Sequence, residues 1–398
     1  MNVPKLRFKE FTDKWQKVPL NLFTNIYGGY AFKSENLLNY KAKYQVIKMG
    51  NVNNNTLNLE KNPSYLNTIS QKELPYLLEK NDIILTLTGT FGKKDFGYSY
   101  QIKNETNLLL NQRLAVFKIT NSNYSANFLK YILLNNTFLN KFFRFSVGGT
   151  GNQANVSIQD IKSFKIPFPK LEEQNKIANF LTTVDKKITN LENTIISLEN
   201  QKKGLLQQIF SQKLRFKDKN GNNYPNWEKK KLEDIAIFLD NKRKPLEQSE
   251  RIHGKYPYYG ASGIIDYIND YIFDEELVLL SEDGANIIDR NYPICYIATG
   301  KYWVNNHAHV LKVKSQYVNK FICESLEQLN YTKYNTGTAQ PKLNQDVCRK
   351  IILSIPCLEE QTKIANFLST FDRKLENQKA QLEHWKQIKK GLLQQMFV

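Results

Sequence analysis

The strongest constraint on this chain is that it is written twice. Leu171-Glu172-Glu173-Gln174, followed by Lys176-Ile177-Ala178-Asn179-Phe180-Leu181, returns as Leu358-Glu359-Glu360-Gln361 and Lys363-Ile364-Ala365-Asn366-Phe367-Leu368. Further on, Lys202-Lys203-Gly204-Leu205-Leu206-Gln207-Gln208 returns as Lys389-Lys390-Gly391-Leu392-Leu393-Gln394-Gln395, at the same offset of 187 residues. A period this long implies a duplicated architecture. The flanking segments repeat more loosely. Trp15 and Leu20 match Trp227 and Leu232, and the Gly89 and Asn111 regions match Gly284 and Asn306, with Gln112 against His307. The falling offset gives the first segment extra loop residues. Lys5-Leu6-Arg7-Phe8 recurs as Lys213-Leu214-Arg215-Phe216 directly after Phe210, and the chain ends on Phe397-Val398. The order is therefore circular, and it predicts four parts: a variable unit over 1–170, a helix over 171–212, a second unit over 213–357 and a second helix over 358–398. At 398 residues the chain exceeds a single ordinary core.

The helices carry narrow apolar seams. One runs Ile177, Leu181, Val184, Ile188, Leu191, Ile195, Leu198, Lys202, Leu205, Ile209, alternating steps of four and three as a coiled coil requires. The other runs Ile364, Leu368, Phe371, Leu375, Gln378, Leu382, Trp385, Lys389, Leu392, Met396. At 1.5 Å per residue each is about 50 Å long. An ordinary core helix would show a wider stripe. Pairing equivalent seams about a two-fold axis predicts an antiparallel coil, with Ile177 near Met396, Leu191 near Leu382, Lys202 facing Phe371 and Lys389 facing Val184. Pro167 and Pro356 mark the lead-ins, the second of which reads as two residues shorter. Glu172-Glu173 and Glu359-Glu360 place negative charge on first turns, where the helix dipole favours it.

The variable units read as mixed, with short strands predominating. Asp82–Gly89 and Glu276–Ser281 are β-rich runs ending at turn signals, Leu114–Ile119 and Val310–Val313 form a further pair, and Ala126–Phe143 reads as a helix. The expected class is α+β: two mixed α/β domains, each followed by a long helix, with pseudo-two-fold symmetry.

A formal net charge of +18 points to a polyanionic partner. It is uneven: residues 1–170 carry +13, 171–212 carry 0, 213–357 carry +3 and 358–398 carry +2. No apolar run has membrane-spanning length, and Met1–Lys9 lacks a signal-peptide core, so a cytoplasmic protein with no membrane association is expected. Cys295, Cys323, Cys348 and Cys357 lack metal or redox spacing and read as buried thiols.

Catalytic motifs are missing. There is no Asn-Pro-Pro-Tyr or Asp-Pro-Pro-Tyr for a flipped adenine and no glycine-rich turn suited to S-adenosylmethionine. Gly89–Lys94 lacks the ending of a phosphate loop. Glu228-Lys229-Lys230 fits the tail of a nuclease motif whose Pro-Asp pair is absent. No catalytic residue is assigned.

The Leu-Glu-Glu-Gln helices entered through Ile166-Pro167 and Ile355-Pro356, the Lys-Gly-Leu-Leu-Gln-Gln ends, and Gly149-Thr150 and Gly337-Thr338 resemble type I restriction-modification specificity subunits over the whole chain. The resemblance implies two target-recognition domains, one per half-site of a bipartite asymmetric DNA target. It also implies antiparallel helices that seat two methyltransferase subunits, with restriction subunits joining the complex. S-adenosylmethionine, ATP and Mg would then reside on partner subunits, with no cofactor in this chain. The rival reading is a coiled-coil structural or RNA-binding protein with duplicated basic domains. It lacks the aromatic ribonucleoprotein signature and gives no reason for the duplication.

Candidate DNA contacts follow from residue type. Lys93, Lys94, Lys242, Arg243 and Lys244 suit phosphates. Trp303, Asn305, Asn306 and His307 form a reading edge, since Asn bonds adenine bidentately and aromatic rings pack on sugars or bases. Asn111 and Gln112 are its counterparts in the first unit. Asn152, Gln153 and Asn155, and Gln340 and Lys342, belong to polar glycine-rich loops. His307 and His309, two apart on a strand, present imidazoles on one face, but no third ligand is evident and no metal is assigned.

Overall fold

The computed structural model describes residues 3–53, 55–148 and 152–398, so Gly149, Thr150 and Gly151 of the first glycine-rich loop lie outside the described residues. The chain separates into two compact units, Met1–Leu191 with Gln381–Val398, and Glu192–Ala380. Both long helices, Leu171–Phe210 and Leu358–Gln395, contribute to both units.

In the first unit an antiparallel sheet orders its strands Thr24–Gly28, Leu114–Ile119, Ile83–Thr86, Ser99–Gln101. Both faces are covered, which is why these strands read as continuous apolar runs. Ile83, Leu85, Ala115 and Phe117 face one core, whereas Ile84, Leu114 and Val116 face another, as the two-residue side-chain period demands. Leu108–Leu110 runs parallel to Tyr44–Ile47 in a second sheet. Gln153–Asn155 lies between Thr88–Thr90 and Val147–Gly148 in a third. The expected run Asp82–Gly89 is therefore split, with Leu87 as the joint between two sheets. The expected helix over 126–143 is also split, into Ala126–Leu133 and Asn136–Arg144, because the Asn135 side chain accepts from Thr137 N at 2.7 Å and starts a new helix.

The second unit repeats the plan. Its antiparallel sheet runs Ala236–Phe238, Ala308–Val313, Leu277–Ser281, Cys295–Ala298, and Lys301–Val304 lies parallel to His253–Gly260. A two-stranded ribbon precedes each long helix: Gln16–Pro19 with Lys165–Phe168, and Glu228–Lys231 with Ile352–Ile355. These ribbons correct the reading of the lead-ins. Gln174 Nε2 donates to Pro169 O and Gln361 Nε2 to Pro356 O, both at 2.9 Å, so Pro169 rather than Pro167 is the counterpart of Pro356. The two lead-ins are equal in length.

The Leu-Glu-Glu-Gln motif explains itself in this setting. Arg7 grips Glu173 with two hydrogen bonds of 2.7 and 2.8 Å, and Trp15 Nε1 donates to the same carboxylate at 3.3 Å. Arg215 and Trp227 hold Glu360 in the same way, at 2.8, 2.8 and 3.1 Å. The Gln174 carbonyl accepts from Ser125 N and that of Gln361 from Val318 N, at 2.8 and 3.0 Å. Each glutamate is thus a buried charge that is both paired and fully bonded, the condition under which burial is tolerable.

The helices pack antiparallel inside each unit. Ile177 and Leu181 share a core with Met396 and Phe397 in the first, and Leu206 and Ile209 share one with Ile364 and Leu368 in the second. Every seam position named above, from Ile177 through Val184, Ile188, Leu191, Ile195 and Leu198 to Phe371, Leu375, Leu382 and Trp385, is buried or half-buried. Lys389 meets Asp185 at 2.7 Å and Lys202 meets Asp372 at 2.6 Å. These carboxylates are the neighbours of the expected Val184 and Phe371, because a flexible lysine stem lies along the seam while its ammonium seeks a charge.

The circular order is also physical. Leu6 N donates to Gln395 O at 2.9 Å, as Leu214 N does to Gln208 O at 3.0 Å. Phe397 stands edge-on to Trp15 as Phe210 does to Trp227, each with ring centroids 6.3 Å apart. The cysteines are free thiols, three buried and Cys357 half-buried. Among the described residues no helix is long and apolar enough to cross a membrane.

Candidate nucleic-acid interface

One backbone position organises the polar surface of each unit. In the first unit Leu87 N donates to Arg113 O at 3.0 Å and Leu87 O accepts from Val156 N at 3.1 Å. In the second, Glu282 N donates to His307 O at 2.9 Å and Glu282 O accepts from Leu343 N at 2.7 Å. A turn on one side and a loop on the other are thereby fixed to the end of a core strand. Precise placement of exposed polar groups on a rigid support is what sequence reading needs.

In the first unit the turn is Asn111-Gln112-Arg113. Its backbone is held by Asn111 N to Ile47 O at 3.2 Å, Gln112 N to Tyr30 O at 3.0 Å and Leu114 N to Asn111 O at 2.9 Å. It presses on Gly29 so closely that a Cβ there would lie 2.2 Å from Asn111 O. Asn111 is half-buried, and the side chains of Gln112 and Arg113 are exposed. Beyond Leu87, Gln153 pairs with Thr90 and Asn155 with Thr88, which brings exposed Asn152, Gln153 and Asn155 beside exposed Lys93 and Lys94. Phe91, 56% exposed, stands in the same patch, its N–H bonded to Asn152 O at 3.0 Å.

In the second unit Asn305 N donates to Tyr259 O at 3.0 Å, as Asn111 N does to Ile47 O. The matching residues are therefore Asn305 with Asn111, Asn306 with Gln112 and His307 with Arg113, one residue away from the pairing expected from sequence. Asn305 is buried, its Oδ1 accepting from His307 N at 2.8 Å. Trp303 is buried too, with Nε1 donating to Lys244 O at 2.6 Å. Arg243 turns inward rather than towards phosphates, donating to Glu282 at 2.6 Å and to Ala308 O at 2.8 Å. These three hold the turn, and the exposed groups are Lys242, Lys244, Asn306, His307, Gln340 and Lys342. A cleft of about 310 Å³ opens beside them, lined by Ser281, Asn286, Tyr292, Asn305, His307 and Gln340. The Gly337 loop folds back so tightly that a Cβ would fall 1.8 Å from Gln340 O, and Asn335 Oδ1 pins it by accepting from Gly337 N and Lys342 N at 3.0 and 2.9 Å.

The two histidines do not share a site. His307 lies in the turn, its Nδ1 2.8 Å from Asp283 Oδ2, while His309 is buried on the strand. Asp240 and Glu282 approach His309, but Arg243 contacts both carboxylates and both ring nitrogens of His309 already have partners. The set is a compensated ion network in which Arg243 and His309 supply the positive charge that faces the two carboxylates.

Sequence reasoning missed Arg113, Phe91 and the Leu87 and Glu282 joints. Arg113 had a usable signal: it lies one residue beyond the Asn111-Gln112 pair already singled out.

Comparison with known proteins fits this geometry. Residues 12–200 and 224–384 match the family model of the type I restriction modification DNA specificity domain. A specificity subunit from Haemophilus influenzae is 38% identical over 139 residues, 35% of this chain and 36% of that protein. The specificity subunit of a type I restriction enzyme from Methanocaldococcus jannaschii is 26% identical over 82% of this chain and 80% of that protein. The crystal structure of a type I restriction-modification S subunit from M. genitalium shares the fold, with a TM-score of 0.66 at 18% identity over 100% of this chain and 99% of that one. The chain belongs to the type I restriction modification DNA specificity family, a class of non-catalytic subunits.

Proposed function

We propose that the chain reads a bipartite, asymmetric DNA target, one half-site per unit, and brings two methyltransferase subunits and the associated restriction subunits to it. The observation that carries this reading is the repeated support at Leu87 and Glu282, which presents Gln112 and Arg113 from one unit and Asn306 and His307 from the other. The presented groups differ, so the two half-sites differ. Arg113 offers the donor fork that suits guanine, and Asn306 the amide that suits adenine. Lys93, Lys94, Lys242 and Lys244 contribute phosphate contacts that set register without carrying sequence. S-adenosylmethionine, ATP and Mg belong to the partner subunits, and the complex works in the cytoplasm, where its DNA lies. Replacement of Arg113 by Ala tests the assignment in a methylation assay with the partner methyltransferase. Discrimination at one position of one half-site should fall about tenfold or more, with the other half-site unchanged. Equal loss across all sequences would reduce Arg113 to a phosphate contact.

A further inference from the structure

Corresponding positions in the two units are filled in opposite ways. Where the first unit places Gly28, Ala115 and Ile158, with Ile158 Cδ1 2.9 Å from a Cβ built on Gly28, the second places Asp240, His309 and Gln345. Hydrocarbon is replaced by a buried ion network. His309 Nδ1 lies 2.7 Å from Asp240 Oδ2, and His309 Nε2 lies 2.7 Å from Leu343 O. Asp240 also accepts from Val310 N at 2.9 Å and from Gln345 Nε2 at 2.7 Å and lies 3.6 Å from Arg243; burial would raise its carboxyl, but His309, Val310 N and Arg243 hold it below the usual range, so it is ionised and only accepts. A backbone carbonyl is likewise only an acceptor. Both ring nitrogens must therefore carry protons, and His309 is an imidazolium. The other groups around it are Glu282, 3.7 Å from Nδ1, the Cys348 thiol, and the Phe238 ring edge-on at 6.0 Å.

This cation sits where three surface segments meet. Through Leu343 it holds the end of the Gly337 loop that carries Gln340 and Lys342. Through Asp240 it holds the segment leading to Lys242 and Lys244, and Arg243 of that segment donates to Ala308 O behind the His307 turn. Resting on the DNA-reading function proposed above, we infer that His309 is a positioning residue for the second half-site: its doubly bonded imidazolium locks the Gly337 loop and the Lys242–Lys244 segment to the His307 turn. The first unit, built on Gly28, Ala115 and Ile158, has no such lock and supplies an internal control.

The experiment uses the full chain with its methyltransferase partner, wild type against His309→Gln, which offers at most one of the two donated bonds. Methylation is measured on a DNA library randomised at both half-sites. Discrimination at the second half-site should fall about tenfold or more, because charge-assisted bonds to the loop are lost, while the first half-site is unchanged. Nitrogen-15 NMR of labelled histidine, of which the chain has four, should show one ring protonated at both nitrogens at pH 8 and absent from the variant. Unchanged discrimination, equal loss at both half-sites in a folded variant, or a neutral His309 ring would overturn the inference. Should His309→Gln fail to fold, Asp240→Asn weakens the same lock with an isosteric side chain, and the same outcomes apply. If the wild-type complex directs no two-part methylation, the DNA-reading function itself falls, and the NMR result still decides whether the lock exists.

Discussion

Lys202 and Asp372, one from each long helix, meet at 2.6 Å, and their counterparts Lys389 and Asp185 meet at 2.7 Å. The sum of residue numbers is the same in both pairs, so each unit pairs its own two helix segments in the same antiparallel register. A half-buried polar contact beside an apolar seam is a device that fixes register at some expense in stability. Asp372 also accepts from Lys320 at 2.6 Å, and these lysines hold its carboxyl below the usual range although burial alone would raise it. Removing the carboxylate leaves the Lys202 and Lys320 ammonium groups to share Glu324 alone, at 3.2 and 2.6 Å.

Asp372→Asn should therefore destabilise the protein by about 2 kcal/mol. Glu199→Gln, which removes an exposed pair with Lys379, should cost about 0.5 kcal/mol or less. Urea denaturation of both variants checks the contrast, and equal effects would show that the seam pairs are incidental.

Glu360→Gln should be more damaging still. Its carboxylate is fully buried and takes both arms of Arg215 and the Trp227 indole, so the variant leaves a half-buried guanidinium facing a neutral amide. A loss of about 3 kcal/mol is expected by chemical denaturation. Glu173→Gln should cost a comparable amount, because the same clamp is built there from Arg7 and Trp15.

His309 makes stability depend on alkaline pH. Burial alone would pull its pKa down, but the hydrogen bond to Asp240, the Cys348 side chain and the Asp240 charge together outweigh burial and push it from the ordinary 6.5 up to about 10. A raised folded-state pKa gives stability that is full below pH 6.5 and is lost as pH rises through about 10. The melting-temperature difference between wild type and His309→Gln should shrink steadily from pH 7 to pH 10. A difference independent of pH would mean that the imidazole is neutral.

Gly29→Ala should disable one reading turn without disturbing the helices. The new methyl would lie 2.2 Å from Asn111 O, and that atom is backbone, so the whole Asn111–Arg113 turn must shift. Methylation assays should show discrimination at the first half-site falling more than tenfold, while helical circular dichroism is retained. An unaltered target preference would remove this turn from the interface.

The duplication, the α+β class and the antiparallel seams were legible because they rest on literal repeats and local periodicity. The Arg7, Trp15 and Glu173 clamp was half visible: each residue repeats, but only folding brings residues so distant in sequence together. Register failed where the pattern was loose. Two prolines competed for the lead-in, and Asn305 and Asn306 were interchangeable on paper until the hydrogen bond to Tyr259 O chose between them. Arg243 looked like a surface cation because its partner Glu282 arrives from a strand far along the chain. Burial of that kind leaves no local signature.

Sequencing of methylated adenines in cells expressing this chain with its methyltransferase tests whether the two differently furnished units read two different half-sites. The expected result is one motif made of two unlike blocks separated by a spacer of fixed length and unspecified sequence, in which Arg113→Ala alters one block and His309→Gln the other. A single continuous motif, or variants that alter both blocks together, would contradict it.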